Sequence, residues 1–156
     1  MTSRPTRVSL DPEVRRDLAI ELFNYTWTWL EKPDRTEAET ERMINAAHAS
    51  RLLWEEIGEP IQHARGEWQI SRAYAVAGQG QPALRHALRC MAICEEHGIA
   101  DFDLAYAYEG MARAYFALGD KASAAIWAHQ AGVAGDRIAD PEDRSLLIKD
   151  LATISR

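Results

Sequence analysis

Proline and glycine are sparse in this chain, six and nine of its 156 residues. With alanine abundant, that favours long helices over sheet. Basic charge is in deficit: 18 Lys and Arg face 24 Asp and Glu, a formal net charge of -6. A nucleic-acid binder carries a basic footprint, so that partner is not expected. No apolar run reaches membrane-spanning length, so no membrane is expected either. Met1 to Arg7 is polar, and no apolar segment of signal-peptide type follows it. There are only two cysteines, Cys90 and Cys94. They lie one helical turn apart, and reduced thiols in a cytoplasmic protein are the plain expectation. Also missing are a glycine-rich phosphate loop, a nucleophile elbow and a zinc-protease histidine pair.

What is present is helix punctuation. Asp11-Pro12-Glu13 combines a capping carboxylate, a proline suited to the first turn and an acid that complements the dipole. Val14, Leu18, Leu22 and Tyr25 then keep helical spacing up to Lys32-Pro33. Thr36 with Glu39 is a capping box, and that helix is expected to end at Gly58. Glu59-Pro60 opens a third helix, to Ala77, and Pro82 sits near the start of a fourth, ending at Gly98. Asp101 and Asp120 are expected caps of the fifth and sixth, and Asp140-Pro141-Glu142 repeats the opening signal. The predicted fold is all-α: helix pairs over about 11–58, 60–98 and 101–138, then a capping helix over 140–155 with Leu147, Leu151 and Ile154 on one stripe.

Two stretches, Arg65–Gly98 and Tyr106–Ala139, are near copies. Tyr74, Gly78, Ala83, Ala87 and Cys90 recur as Tyr115, Gly119, Ala124, Ala128 and Ala131, at an offset of about 41 residues. Trp54 to Gly58 echoes Cys94 to Gly98, so the second and fourth helices end alike. Small residues recur where crossing backbones approach, and the glycines can reverse the chain. Tyr108, Met111, Ala112, Tyr115, Gly119, Ala124, Ala128 and Ala131 together resemble the tetratricopeptide repeat. Glu67, Ile70, Ser71, Tyr74, Gly78, Ala83, Ala87 and Cys90 follow the same pattern more loosely, and the family's closing proline is absent from both copies. The resemblance implies a right-handed stack of helix pairs whose concave face binds a peptide or a protein partner.

In such a stack the first helix of each pair lines the concave face. That places Arg65, Trp68 and Arg72 on one stripe, and Tyr106, Glu109, Arg113 and Phe116 on the next, with Asn24 pointing the same way from the first helix. Arginine forks take carboxylates or phosphates, and aromatics add apolar contact area, so an acidic peptide is the expected ligand. The competing reading is a set of intramolecular pairs, such as Arg113 with Glu109 one turn away.

A second constellation is His48 with Arg51 and Glu67, which would serve an enzyme as a polar cluster or a structure as a hydrogen-bonded histidine. His86, Cys90, Cys94 and His97 carry metal-capable groups on one helix, but Cys90 belongs to the small-residue seam, so no metal and no cofactor is assigned. Trp27 and Trp29 cannot face the same side of one helix, so one of them is expected at an edge. The expectation is therefore a non-catalytic module binding a protein or peptide in a groove, and a homodimer is compatible with it. The alternative is a helical domain that senses a small anionic molecule.

Overall fold

The computed structural model describes residues 3–154, and within them every regular element is a helix. They are α1 (Pro12–Leu30), α2 (Glu37–Trp54), α3 (Pro60–Val76), α4 (Gly80–His97), α5 (Asp101–Ala117), α6 (Lys121–Gly135) and α7 (Pro141–Ala152). The first two positions of the polar N-terminal stretch, and residue 155 of the expected last helix, lie outside the described residues.

The caps follow their local chemistry. Asp11 accepts the amides of Glu13 and Val14, Thr36 and Glu39 cap each other's backbone, and Asp140 accepts from Glu142 and Asp143. Asp120 accepts the Ser123 amide. Gly78 and Gly119 hold φ of 75° and 81°, the left-handed geometry that lets α3 and α5 reverse into α4 and α6. The turn after α1 has no glycine. There Arg35 donates from Nη1 to the carbonyls of Trp29, Leu30 and Lys32, satisfying the helix end with a side chain instead.

Pro82 sits near the start of α4, which begins at Gly80, where an added Cβ would lie 2.7 Å from the Leu118 amide nitrogen. Three local expectations are corrected. Asp101 is the first residue of α5, at φ 56°, with its carboxylate accepting the Phe102 amide. α2 stops at Trp54, and Gly58 is not left-handed; it is small because a Cβ there would lie 2.7 Å from the Trp54 carbonyl oxygen. On α1 the periodic Val14, Leu18 and Tyr25 are exposed, and the buried side is Arg15, Ala19 and Thr26. α1 ends the array, and the small Ala19 lets α2 come close enough for the Ser50 hydroxyl to donate to the Ala19 carbonyl at 2.7 Å.

The helices pack most extensively as the consecutive pairs α1–α2, α3–α4 and α5–α6. Short turns make each pair antiparallel. α1 also meets α3, α3 meets α5, and α5 meets α7, whereas the described residues of α2, α4 and α6 make no such contacts with one another. The first helices therefore form the closely spaced inner row. Ala83, Ala87, Cys90, Ala124 and Ala131 are buried in the seams, and Ala128 is half-buried. Cores form between neighbouring helices: Met43, Ala47, Ile70 and Ala73 in one, Ala83, Ala87, Met111 and Ala114 in the next. α7 closes the array by burying Leu147, and Ile154 is buried just beyond its end, while Ile148 stays exposed.

Candidate functional site

The inner row encloses a cavity of about 700 Å³. α1 contributes Phe23 and Trp27, and Glu31, its C-terminal cap, continues the same spacing of four. α3 contributes Ala64, Arg65, Trp68 and Arg72, and α5 contributes Phe102, Asp103 and Tyr106. Asp143, Leu146 and Asp150 come from α7, and Cys90 touches the wall from α4. The aromatic rings form one connected group. Trp27 lies 5.7 Å from Trp68, Trp68 meets Tyr106 edge-on at 5.5 Å, and Phe102 lies 4.5 Å from Tyr106. Such pairs hold each ring in place and leave the wall rigid.

Of the expected groove residues, Arg65, Trp68, Arg72 and Tyr106 line this cavity. Glu109 and Arg113 lie behind it as its support. Glu109 is fully buried; it accepts from Trp68 Nε1 at 3.1 Å, Arg72 Nη1 at 3.1 Å and Arg113 Nε at 2.7 Å. Arg113 also donates to the Asp150 carbonyl at 3.0 Å, and so ties α5 to α7. The Tyr106 hydroxyl donates to Asp150 Oδ2 at 2.7 Å. Burial, that hydrogen bond and the Asp150 charge all raise the Tyr106 pKa, so the phenol stays protonated. Asn24 is not part of the wall: it is exposed and lines a separate open hollow along α1 with Asp17, Glu21 and Thr28. Phe116 is half-buried near the end of α5, away from the cavity lining.

The arginine forks are occupied from within. Arg65 grips Asp103 in bidentate fashion, Nε to Oδ1 at 2.7 Å and Nη2 to Oδ2 at 3.0 Å. Arg72 bridges Glu109 and Asp150, the latter at 3.4 Å, and its guanidinium stands 5.9 Å from the Trp68 ring centroid. The intramolecular pairing weighed against an open arginine groove is thus the arrangement present.

A second cluster lies between α2, α3 and α4. Glu67 accepts from Arg51 Nε at 3.2 Å and pairs with His86 Nδ1 at 2.6 Å. His48 Nε2 shares a 2.9 Å hydrogen bond with the Tyr74 hydroxyl, and its ring lies 5.3 Å from that of His86. Sequence had joined His48, Arg51 and Glu67; His86 and Tyr74 complete the set. His63, at the start of α3, turns away from this cluster to the Trp54 carbonyl. Burial pushes the Glu67 carboxyl up, but the His86 hydrogen bond and the charges of His86 and Arg51 outweigh it, and its pKa lies below the ordinary value. Loss of water, then the charge of His86, pulls His48 below 6.5.

With His86 held by Glu67 and His97 exposed, the metal-capable stripe of α4 does not converge. No three His, Cys, Asp or Glu side chains among the described residues gather as metal ligands. The Cys90 thiol is raised by its contact with Cys94 and by burial, which keeps it unreactive. Trp27 and Trp29 are both half-buried on different sides of α1: Trp29 packs against the Met43, Ala47, Ile70 and Ala73 core with the Arg42 guanidinium 5.5 Å from its ring, while Trp27 lines the cavity. Among the described residues no helix is long and apolar enough to cross a membrane.

The residues that sequence reasoning missed are those of α1 and α7, together with Phe102 and Asp103 of α5. Phe23, Trp27 and Glu31 form an i, i+4, i+8 stripe, which could have been read as a face. Asp143, Leu146 and Asp150 belong to the expected capping helix and are not singled out there, because nothing local shows that α7 folds onto the inner row. The chain matches no protein-family model, no curated protein and no solved structure.

Proposed function

We propose that this chain is a tetratricopeptide-like interaction module that takes a segment of a partner protein or peptide into the cavity between α1, α3, α5 and α7. The carrying observation is the cavity itself, about 700 Å³ with five aromatic residues in its wall. Recognition surfaces concentrate their affinity in such aromatic anchors, and a wall built on helices is already organised before the ligand arrives. A small-molecule pocket is the second reading, since the volume also falls within the range of such sites.

A photo-reactive amino acid placed at Leu146, which is exposed and lines the cavity, tests the proposal in the living source cell. The expected result is a discrete polypeptide adduct that is absent when the same group replaces the exposed Ile126 on α6. A small-molecule adduct from Leu146 would promote the second reading. Equal adducts from both positions, or none, would remove the cavity as the site.

A further inference from the structure

We infer that the segment accepted by this cavity presents a cation, a lysine or arginine side chain, rather than the acidic group that the arginines suggest at first. The inference rests on the cavity reading of the preceding subsection and adds the chemistry of its occupant.

Three observations carry it. First, an anion has no free fork to meet. Arg65 is closed on both oxygens of Asp103, and Arg72 on Glu109 and Asp150. A bound carboxylate would have to break one of these pairs and leave a partly buried carboxylate unmatched. Second, the charge left over is negative. The lining holds four carboxylates, Glu31, Asp103, Asp143 and Asp150, against two guanidiniums, Arg65 and Arg72. Among the described residues Glu31 and Asp143 belong to no ion pair within 4.0 Å. They come from α1 and α7, on elements that flank the aromatic wall, and Glu31 is exposed while Asp143 is half-buried. Third, the wall is aromatic. Trp27, Trp68, Phe102 and Tyr106 line it, and Trp68 already carries a cation, the Arg72 guanidinium at 5.9 Å from its ring centroid.

A lysine or arginine stem would lie along the rings while its head reached Glu31 or Asp143. The whole chain's charge of -6 would draw a basic segment toward it over longer range.

The test uses two synthetic peptides of one alanine-leucine scaffold, one bearing lysines and arginines, the other glutamates at the same positions. Binding is read from the indole N–H signals of Trp27 and Trp68 by NMR, at low and at high salt. The basic peptide should shift both signals, lose affinity with salt, and bind about tenfold more weakly to the Glu31→Gln/Asp143→Asn variant. If the acidic peptide shifts the same signals with equal or higher affinity, the cation inference fails and the cavity reading stands. If the basic peptide binds wild type and variant alike, its contact is with the acidic surface at large and the inference fails. If neither peptide moves either indole signal, the inference and the peptide-binding cavity fail together.

Discussion

The two copies, 65–98 and 106–139, share one backbone plan and fill it with different chemistry. Where the first copy has Glu67 paired with His86 at 2.6 Å, the second has Tyr108 against Trp127, ring centroids 5.7 Å apart. The helix before each copy extends the contrast. Arg51 reaches Glu67 from α2, while Met91, its counterpart on α4, packs with Trp127 against Ala83, Ala87, Met111 and Ala114. The same junction is thus built once from a buried polar network and once from apolar side chains. The backbone does not demand the network; the sequence of the first copy maintains it against the cost of burying charge.

Removing half of that network should have the largest effect. Glu67→Ala strands the Arg51 and His86 side chains beside a cavity, a loss of about 3 kcal/mol in denaturant unfolding. Replacing the whole set by its counterpart, Arg51→Met with Glu67→Tyr and His86→Trp, should restore wild-type stability within about 1 kcal/mol or exceed it. If the triple variant is as unstable as Glu67→Ala, the two junctions are not interchangeable and the comparison breaks.

The copies also differ in how their turns meet the next helices. Gly80 lies beneath Leu118 of the second copy, where an added Cβ would meet the Leu118 amide nitrogen and side chain at 2.7 Å. Its counterpart Lys121 is exposed, since the next helix, α7, packs elsewhere. Gly80→Ala should therefore cost about 2 kcal/mol by forcing neighbouring turns apart. Lys121→Ala should change stability by less than about 0.5 kcal/mol. Parallel chemical denaturation of the two variants measures the difference, and equal effects would contradict the stacked arrangement of the turns.

The recurrence of Tyr74, Gly78 and Ala83 as Tyr115, Gly119 and Ala124 made the helix pairs readable, because a close crossing and a left-handed turn each require a particular kind of residue. Arg65, Trp68, Arg72 and Tyr106 could be placed on the inner row for the same reason. The partners of those arginines could not. Asp103 lies 38 residues from Arg65, and Asp150 lies 78 from Arg72. Charge complementarity over such distances leaves no periodic trace. α7 was the hardest element to place: its apolar stripe told that one side is buried, and Asp143 and Asp150, one turn either side of Leu147, serve the cavity from the flank of that same stripe. On α1 the period was right and the face was wrong, because a small residue and a buried arginine, Ala19 and Arg15, mark the packed side.

The smallest expected effect is a dependence of stability on pH that arises where α2 meets the first copy. His48 has its pKa drawn below 6.5 by burial and then by His86, with Glu67 pulling the other way and Arg85 and Arg89 reinforcing the fall. Tyr74 completes its surroundings. A depressed histidine pKa means that the unfolded chain binds the proton first. Its contribution is therefore complete above about pH 6.5 and is lost as pH falls through the folded value. Glu67, also depressed, adds a second loss at still lower pH, as its carboxylate is protonated. At the equivalent junction of the second copy, Tyr108, Trp127 and Met91 bring neither a histidine nor a carboxylate. His48→Gln keeps a partner for the Tyr74 hydroxyl and removes the first loss, so unfolding free energy measured between about pH 7 and about pH 5 should fall less steeply than in wild type. An unchanged slope would place the acid sensitivity outside this junction, and the two copies would then differ in packing chemistry without differing in their response to protons.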